Sequence, residues 1–222
     1  MIVGTVRELP PRGHYLAHEV GWLAGVSGKT IGQWARRGYM RSSQSDARPL
    51  VYSYQDVAEA MVVHELLDHN VTHAAIKKTI EYLRSKYGSA WPLTHAELSV
   101  VPVHPDAVGR SRTVVESDRY DIPARHLVLT GVNLERIRTD LHRGGWAARA
   151  IPDLRFIEVD PDRLSGRPAI RGRRVPAEDA ARLADAEGGR EALRVGYGLS
   201  DPEIDDAVRW WQKVQEFERL AS

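Results

Sequence analysis

The chain has 222 residues, of which 42% are hydrophobic and 27% charged, and its formal net charge is +1. Length and composition fit an ordinary soluble globular protein with enough apolar residues for one large core or several small ones. No run of about 18 apolar residues suits a membrane span, the opening MIVGTVRELPPRGHY lacks the pattern of a secretory signal, and the absence of cysteine excludes disulfides and thiolate metal sites. The expected compartment is the cytoplasm.

Charge is distributed unevenly. Residues 1–90 hold 11 Lys/Arg and 8 Asp/Glu (net +3), residues 91–149 hold 8 and 7 (net +1), and residues 150–222 hold 12 and 15 (net −3). A basic end and an acidic end predict different partners.

Taken in chain order, Val20, Leu23 and Ala24 give one apolar face to a short helix over about 18–24, which Gly25 ends. Ser27 is placed as the N-cap of a second helix reaching to about Arg37, with Ile31, Trp34 and Ala35 facing inward. Two short helices about a glycine turn make a helix-turn-helix candidate. The outer side of the second helix carries Lys29, Thr30, Gln33, Arg36 and Arg37, donors of the kind that read base edges or hold phosphates. Between Val26 and Arg48 five basic residues face one acid, a plausible DNA footprint. The polar segment MRSSQSDARPLVYS, ending in alternation through Leu50, Val51 and Tyr52, reads as a hairpin wing. A third helix begins at a Ser53/Asp56 capping box with Val57, Met61 and Leu67 inward, and a fourth runs from a Thr72 cap to Gly88 with Ile76, Ile80 and Leu83 inward.

Residues 15 to about 87, carrying LAGVSGKTIGQWARRGYM and VYSYQDVAEAMVVHELLDHNVTHAAIKKTIEYL, resemble a MerR-type winged helix-turn-helix. The resemblance implies that the second helix lies in the major groove and the wing grips the backbone. By position it makes Ser27, Lys29, Thr30, Gln33, Arg36 and Arg37 recognition-helix contacts, and Arg41, Arg48 and Tyr52 wing contacts. Gly32 stands where many such proteins carry arginine, Trp34 replaces a common tyrosine, and the fourth helix stops without the long dimerising coiled coil.

From Trp91 the pattern turns to short β-rich runs, LSVVPV (98–103), TVV (113–115) and LVL (127–129), followed by the helix NLERIRTDL with Gly144 and Gly145 as its stop. These predict a small linking sheet with no chemical motif. Beyond residue 150, FIEV (156–159) reads as a strand, DPDRLSGRPAIRGRRVP as a sharply bent turn, and three helices follow near 177–187, 190–196 and 201–219, the last capped by Ser200 with Glu203. Along it Ile204, Ala207, Val208, Trp211 and Val214 form an apolar stripe, which predicts Trp211 in the core and leaves Trp210 as a partner anchor. The cluster Arg167, Arg171, Arg173 and Arg174 suits DNA phosphates, acids of a partner protein, or acids of the chain itself such as Asp160 and Asp162.

Over about 55 residues this C-terminal stretch is similar to the bacterial family of unknown function numbered four-three-three. Asp160, Pro161, Gly166, Pro168, Ile170, Gly172, Arg174, Leu199 and Ser200 meet its pattern, and Arg173 stands where threonine is usual. A winged half joined to such a domain resembles a VapB-type antitoxin, which implies autorepression as a homodimer on the protein's own operator and neutralisation of a PIN-like ribonuclease toxin. Arg167, Arg171, Arg173, Arg174 and Trp210 are then partner-binding candidates. The alternative is a stand-alone MerR-like or phage-type regulator whose C-terminal domain senses a ligand or mediates assembly.

No enzyme constellation stands out. His69 and His73 have i, i+4 spacing without further ligands, and no Gly-x-x-x-x-Gly-Lys loop occurs, so neither metal nor cofactor is expected. The expected fold class is α+β and mainly helical. It comprises a winged helix-turn-helix (1–90), a β-rich linking region (91–150) and an antitoxin-like trihelical unit with a hairpin (151–222).

Overall fold

A computed structural model describes residues 10–45, 47–102, 112–116 and 130–219. The fold is mainly helical, with two small antiparallel sheets, as expected for the α+β class. Helices α1 (Ala17–Ala24) and α2 (Gly28–Arg37) form the helix-turn-helix, followed by α3 (Tyr54–Asp68) and α4 (His73–Tyr87). The local code is the one read from the sequence. Gly25 closes α1 in the left-handed region, the Ser27 side chain accepts from the Thr30 amide, Ser53 and Asp56 form a capping box, and Thr72 caps α4.

The central region holds a 3₁₀ turn (Pro92–Thr94), then β1 (Leu98–Pro102), β2 (Arg112–Glu116) and β3 (Thr130–Val132), with β1 between its two antiparallel partners. The expected strand LVL (127–129) lies outside the described residues. Helix α5 (Leu134–His142), capped by Asn133, and the short α6 (Ala147–Ala150) lead to the hairpin β4 (Ile157–Glu158) and β5 (Ala169–Ile170). Helices α7 (Ala177–Ala184), α8 (Gly189–Tyr197) and α9 (Asp201–Arg219) complete the chain, and both the Ser200 amide and its hydroxyl donate to Glu203 at the start of α9.

Apolar burial does not stop at the ends of these regions. One core joins the helix-turn-helix to the central region, from Tyr15 through Leu23, Ile31 and Met61 to Leu98, Leu141 and Val159. A second gathers Ala147, Ile157, Leu193 and Trp210, and Trp22 of α1 belongs to it. Trp22 meets Trp210 and Trp211 edge to face, at ring separations of 6.5 and 5.1 Å. Such pairs add about 0.5–1.5 kcal/mol each beyond their buried area. At the same junction the Trp146 amide donates to the Leu23 carbonyl at 2.7 Å. Gly145, with φ of 78°, lies so close that any Cβ would collide with the Leu23 backbone.

Two expectations are corrected here. Tyr52 is no exposed wing contact: the segment after α2 folds back with the Gln44 amide donating to the Val51 carbonyl at 3.2 Å, but Tyr52 itself pairs with Tyr15, each amide donating to the other's carbonyl at 2.9–3.0 Å, and is fully buried. Trp210 is no exposed anchor either, because its ring is 0% exposed and its indole donates to the Gly144 carbonyl at 2.8 Å, while Trp211 retains 8% exposure. A stripe at i, i+3, i+4 accounts for one apolar face, whereas α9 is clasped by α1, α6 and α7, so both tryptophans are enclosed.

Candidate nucleic-acid interface

The outer face of α2 is built by what lies beneath it. Ile31 and Trp34 are buried against the first core, and this turns Lys29, Arg36 and Arg37 into solvent with Thr30 and Gln33 half-buried between them. Arg41 and Arg48 are exposed in the segment after α2. Among the described residues none of these five cations makes an ion pair; Arg41 lies 5.8 Å over the Trp91 ring. Several arginines elsewhere are paired, whereas Lys77, Lys78, Arg171 and Arg174, like the α2 set, are exposed and make no ion pair among the described residues. Arg149 reaches Glu65 and Asp140, Arg190 pairs with Asp205 at 2.9 Å, and Arg194 with Glu191 and Asp201 at 2.7 and 2.8 Å. Cations left unmatched on one convex helix face present an uncompensated positive field, which a polyanion neutralises by releasing counterions.

The loop after α2 is anchored rather than paired as a ladder. Asp56 accepts from the Ser43 amide (2.8 Å), the Ser43 hydroxyl (2.7 Å), the Ser53 amide (2.8 Å) and the Trp91 indole (2.7 Å), while the Gln44 amide side chain donates to the Gly13 carbonyl at 2.8 Å. This fixes the base of the loop that carries Arg41 and Arg48. The capping motif made Asp56 visible in the sequence, but its second role needed Ser43 and Trp91 brought to it.

Of the predicted DNA contacts, the structure gathers Lys29, Thr30, Gln33, Arg36 and Arg37 on one helix and Arg41 and Arg48 on the adjoining loop. Two do not fit the role. Ser27 is 3% exposed, with its hydroxyl committed to the Thr30 amide and hydroxyl, so it is the cap that shapes the helix start. Tyr52 lies in the core, where burial first and the nearby Asp56 second push its hydroxyl pKa up, leaving it a neutral phenol. One residue escaped sequence reasoning altogether: Glu218, in the last turn of α9, accepts the Gly28 amide at the start of α2 at 3.2 Å. Nothing short-range links positions 190 residues apart.

The C-terminal arginines divide. Arg167 lies near Glu19 (3.8 Å), Glu178 (3.4 Å) and Asp179 (3.8 Å), and Arg173 meets Glu203 at 3.6 Å and the Gly198 carbonyl at 3.1 Å. Both tie the hairpin to acids of the chain itself, the third option the sequence left open. Arg171 and Arg174 are exposed beside the Gly172 turn. His69 bonds Glu65 at 3.4 Å, His73 packs on Tyr39 at 5.1 Å, and among the described residues no cluster of three metal-ligating side chains exists.

Comparison with known proteins agrees with this arrangement. Residues 15–83 match the MerR HTH family regulatory proteins, and residues 157–210 match the protein family of unknown function DUF433. An uncharacterised Mycobacterium tuberculosis protein, Rv2308, is 27% identical over 241 residues, covering 95% of each chain. In fold, the chain is similar to the crystal structure of Rv2018 from Mycobacterium tuberculosis, with a TM-score of 0.51, 15% identity, and 91% of this chain and 98% of the other covered. No described helix is long and apolar enough to cross a membrane. The chain therefore carries a MerR-family helix-turn-helix, the domain of a DNA-binding regulator, at its N-terminal end and a DUF433 domain at its C-terminal end.

Proposed function

We propose that the protein is a DNA-binding antitoxin: a homodimer that represses its own operon through α2 and neutralises a PIN-like ribonuclease toxin through its C-terminal domain. The observation that carries the DNA half is the set of unpaired cations Lys29, Arg36, Arg37, Arg41 and Arg48 on a capped helix and an anchored loop. Lys29, Gln33, Arg36 and Arg37 read bases or hold phosphates in the major groove, and Arg41 and Arg48 hold the flanking backbone. One reading head per chain is a small contact, so two heads engage a palindrome with half-sites about 34 Å apart.

Support for the toxin half comes from the C-terminal surface. Val195 and Tyr197 of α8 are 76% and 54% exposed, and Arg171 and Arg174 stand out near the hairpin of an otherwise acidic region. Apolar side chains ringed by charge suit a protein partner. The test has two arms. Nuclease footprinting of the DNA upstream of the gene should reveal a protected palindrome, with the protein dimeric on it by light scattering. Co-expression with an adjacent PIN-like reading frame should restore growth, and Val195→Asp with Tyr197→Asp should abolish rescue while the footprint persists. A monomer on the DNA removes the dimer, and rescue by residues 1–150 alone removes the C-terminal assignment.

A further inference from the structure

We propose that the cavity between α3, the 3₁₀ turn and α5 binds a small amphipathic acid, an aromatic or aliphatic body ending in one carboxylate. Its volume is about 490 Å³, and its walls are Ala58 and Val62 of α3, Trp91 beside the 3₁₀ turn, and Leu134 and Ile137 of α5. That size lies within the range of small-molecule sites, which are typically apolar chambers with a few convergent polar groups. Its polar lining is Arg12, Tyr54, His95 and Arg138, and the charges of Arg12 and Arg138 both reach Tyr54, which groups these three into a polar end.

Each of these groups has a distinct status. Arg12 is held by Asp162 across the chain. Tyr54 makes no side-chain hydrogen bond among the described residues, and its hydroxyl lies within the electrostatic reach of Asp160 first, and then of Arg12 and Arg138. Arg138 is 61% exposed and, among the described residues, its ion-pair partner is Glu135 at 3.7 Å. An exposed pair at that separation contributes little, so Arg138 is free to turn to a better anion. A carboxylate at this end receives the Arg138 guanidinium and the Tyr54 hydroxyl, two donors that otherwise go largely unused, while the body of the ligand covers Trp91 and Ile137. A second cavity shares Thr94, His95, Leu134 and Arg138 and adds Glu97, Asn133 and Glu135, so the Arg138 side opens into a polar mouth.

The location gives such a ligand a consequence. Its walls combine the helix that anchors the DNA-reading loop, the central region, and Pro161 at the start of the DUF433 domain. Binding therefore clamps elements of all three together, and stabilises the whole chain by mass action.

The test is calorimetric titration and thermal unfolding of the full chain with 2-naphthoate, 4-phenylbutyrate and decanoate, each beside its neutral amide. At least one acid is expected to bind saturably with Kd below about 1 mM, about tenfold tighter than its amide. Arg138→Met is expected to reduce that preference to about twofold while retaining amide binding. Ala58→Trp, or Leu134→Trp from the opposite wall should the first fail to fold, is expected to abolish both. Absence of binding by all three acids, or binding that survives both filling variants, overturns the proposal. The readout needs no DNA and stands whether or not the chain reads an operator.

Discussion

Glu59 shows what a single residue's surroundings do to its chemistry. It is fully buried on α3, one oxygen accepts the Leu93 amide at 3.3 Å, and the other has no hydrogen-bond partner among the described residues. Burial, reinforced by the nearby Asp56 and opposed by the Leu93 amide, Arg84 and Arg41, pushes its pKa from 4.5 up to about 8. Because the folded value is raised, the contribution is complete below pH 4.5 and is lost as pH climbs through about 8. The wild-type midpoint of thermal unfolding should therefore fall between about pH 6 and about pH 9, by on the order of a few kcal/mol of stability. Glu59→Gln keeps an acceptor for Leu93 without the charge, and should flatten that fall. A variant with the same alkaline slope as wild type would show that Glu59 is already ionised in the fold.

At the scale of elements, the helix termini were the most legible part of the sequence. Ser27, Ser53 and Thr72 each cap the helix that begins beside them, as their sequence positions predicted, because capping depends on side chains within three residues. Tertiary arrangement was less legible. Tyr52 at the end of the wing segment found its partner in Tyr15, and Trp210 was enclosed by helices that no local pattern announces. Glu218 belongs to the same class. Its carboxylate accepts the Gly28 amide at the positive end of the α2 dipole. Glu218→Gln keeps an acceptor and removes the charge, so DNA affinity at low salt should rise about twofold to fivefold. Unchanged affinity, measured by anisotropy, would place this end of α2 away from the DNA backbone.

For the whole molecule, the helix-turn-helix is packed into the central region and the DUF433 domain through shared apolar cores. Leu23 is bonded to Trp146, Gly145 fits against the Leu23 backbone, and Trp22 completes a core made by α7 and α9. A fragment of residues 1–90 exposes these surfaces together with the central-region side of the first core. It should lose at least several kcal/mol of stability relative to the intact chain, and show weak amide protection in α1. A fragment as protected as the full chain would mean that these contacts are incidental to the reading head.

Coupling of this kind makes the reading head's DNA affinity a property of the full chain, so the decisive measurement uses that chain. It is the salt dependence of binding to the duplex upstream of the gene against a scrambled duplex, for wild type, Gln33→Ala, Arg36→Ala with Arg37→Ala, and an Arg171→Ala with Arg174→Ala control. The expected result is preference for the upstream duplex and log affinity that falls linearly with log salt. The slope should shrink by about 2 in the Arg36/Arg37 variant, the preference should weaken in the Gln33 variant, and the control should remain unchanged. Equal affinity for both duplexes, or a slope indifferent to Arg36 and Arg37, would contradict the assignment of α2 as the surface that reads DNA.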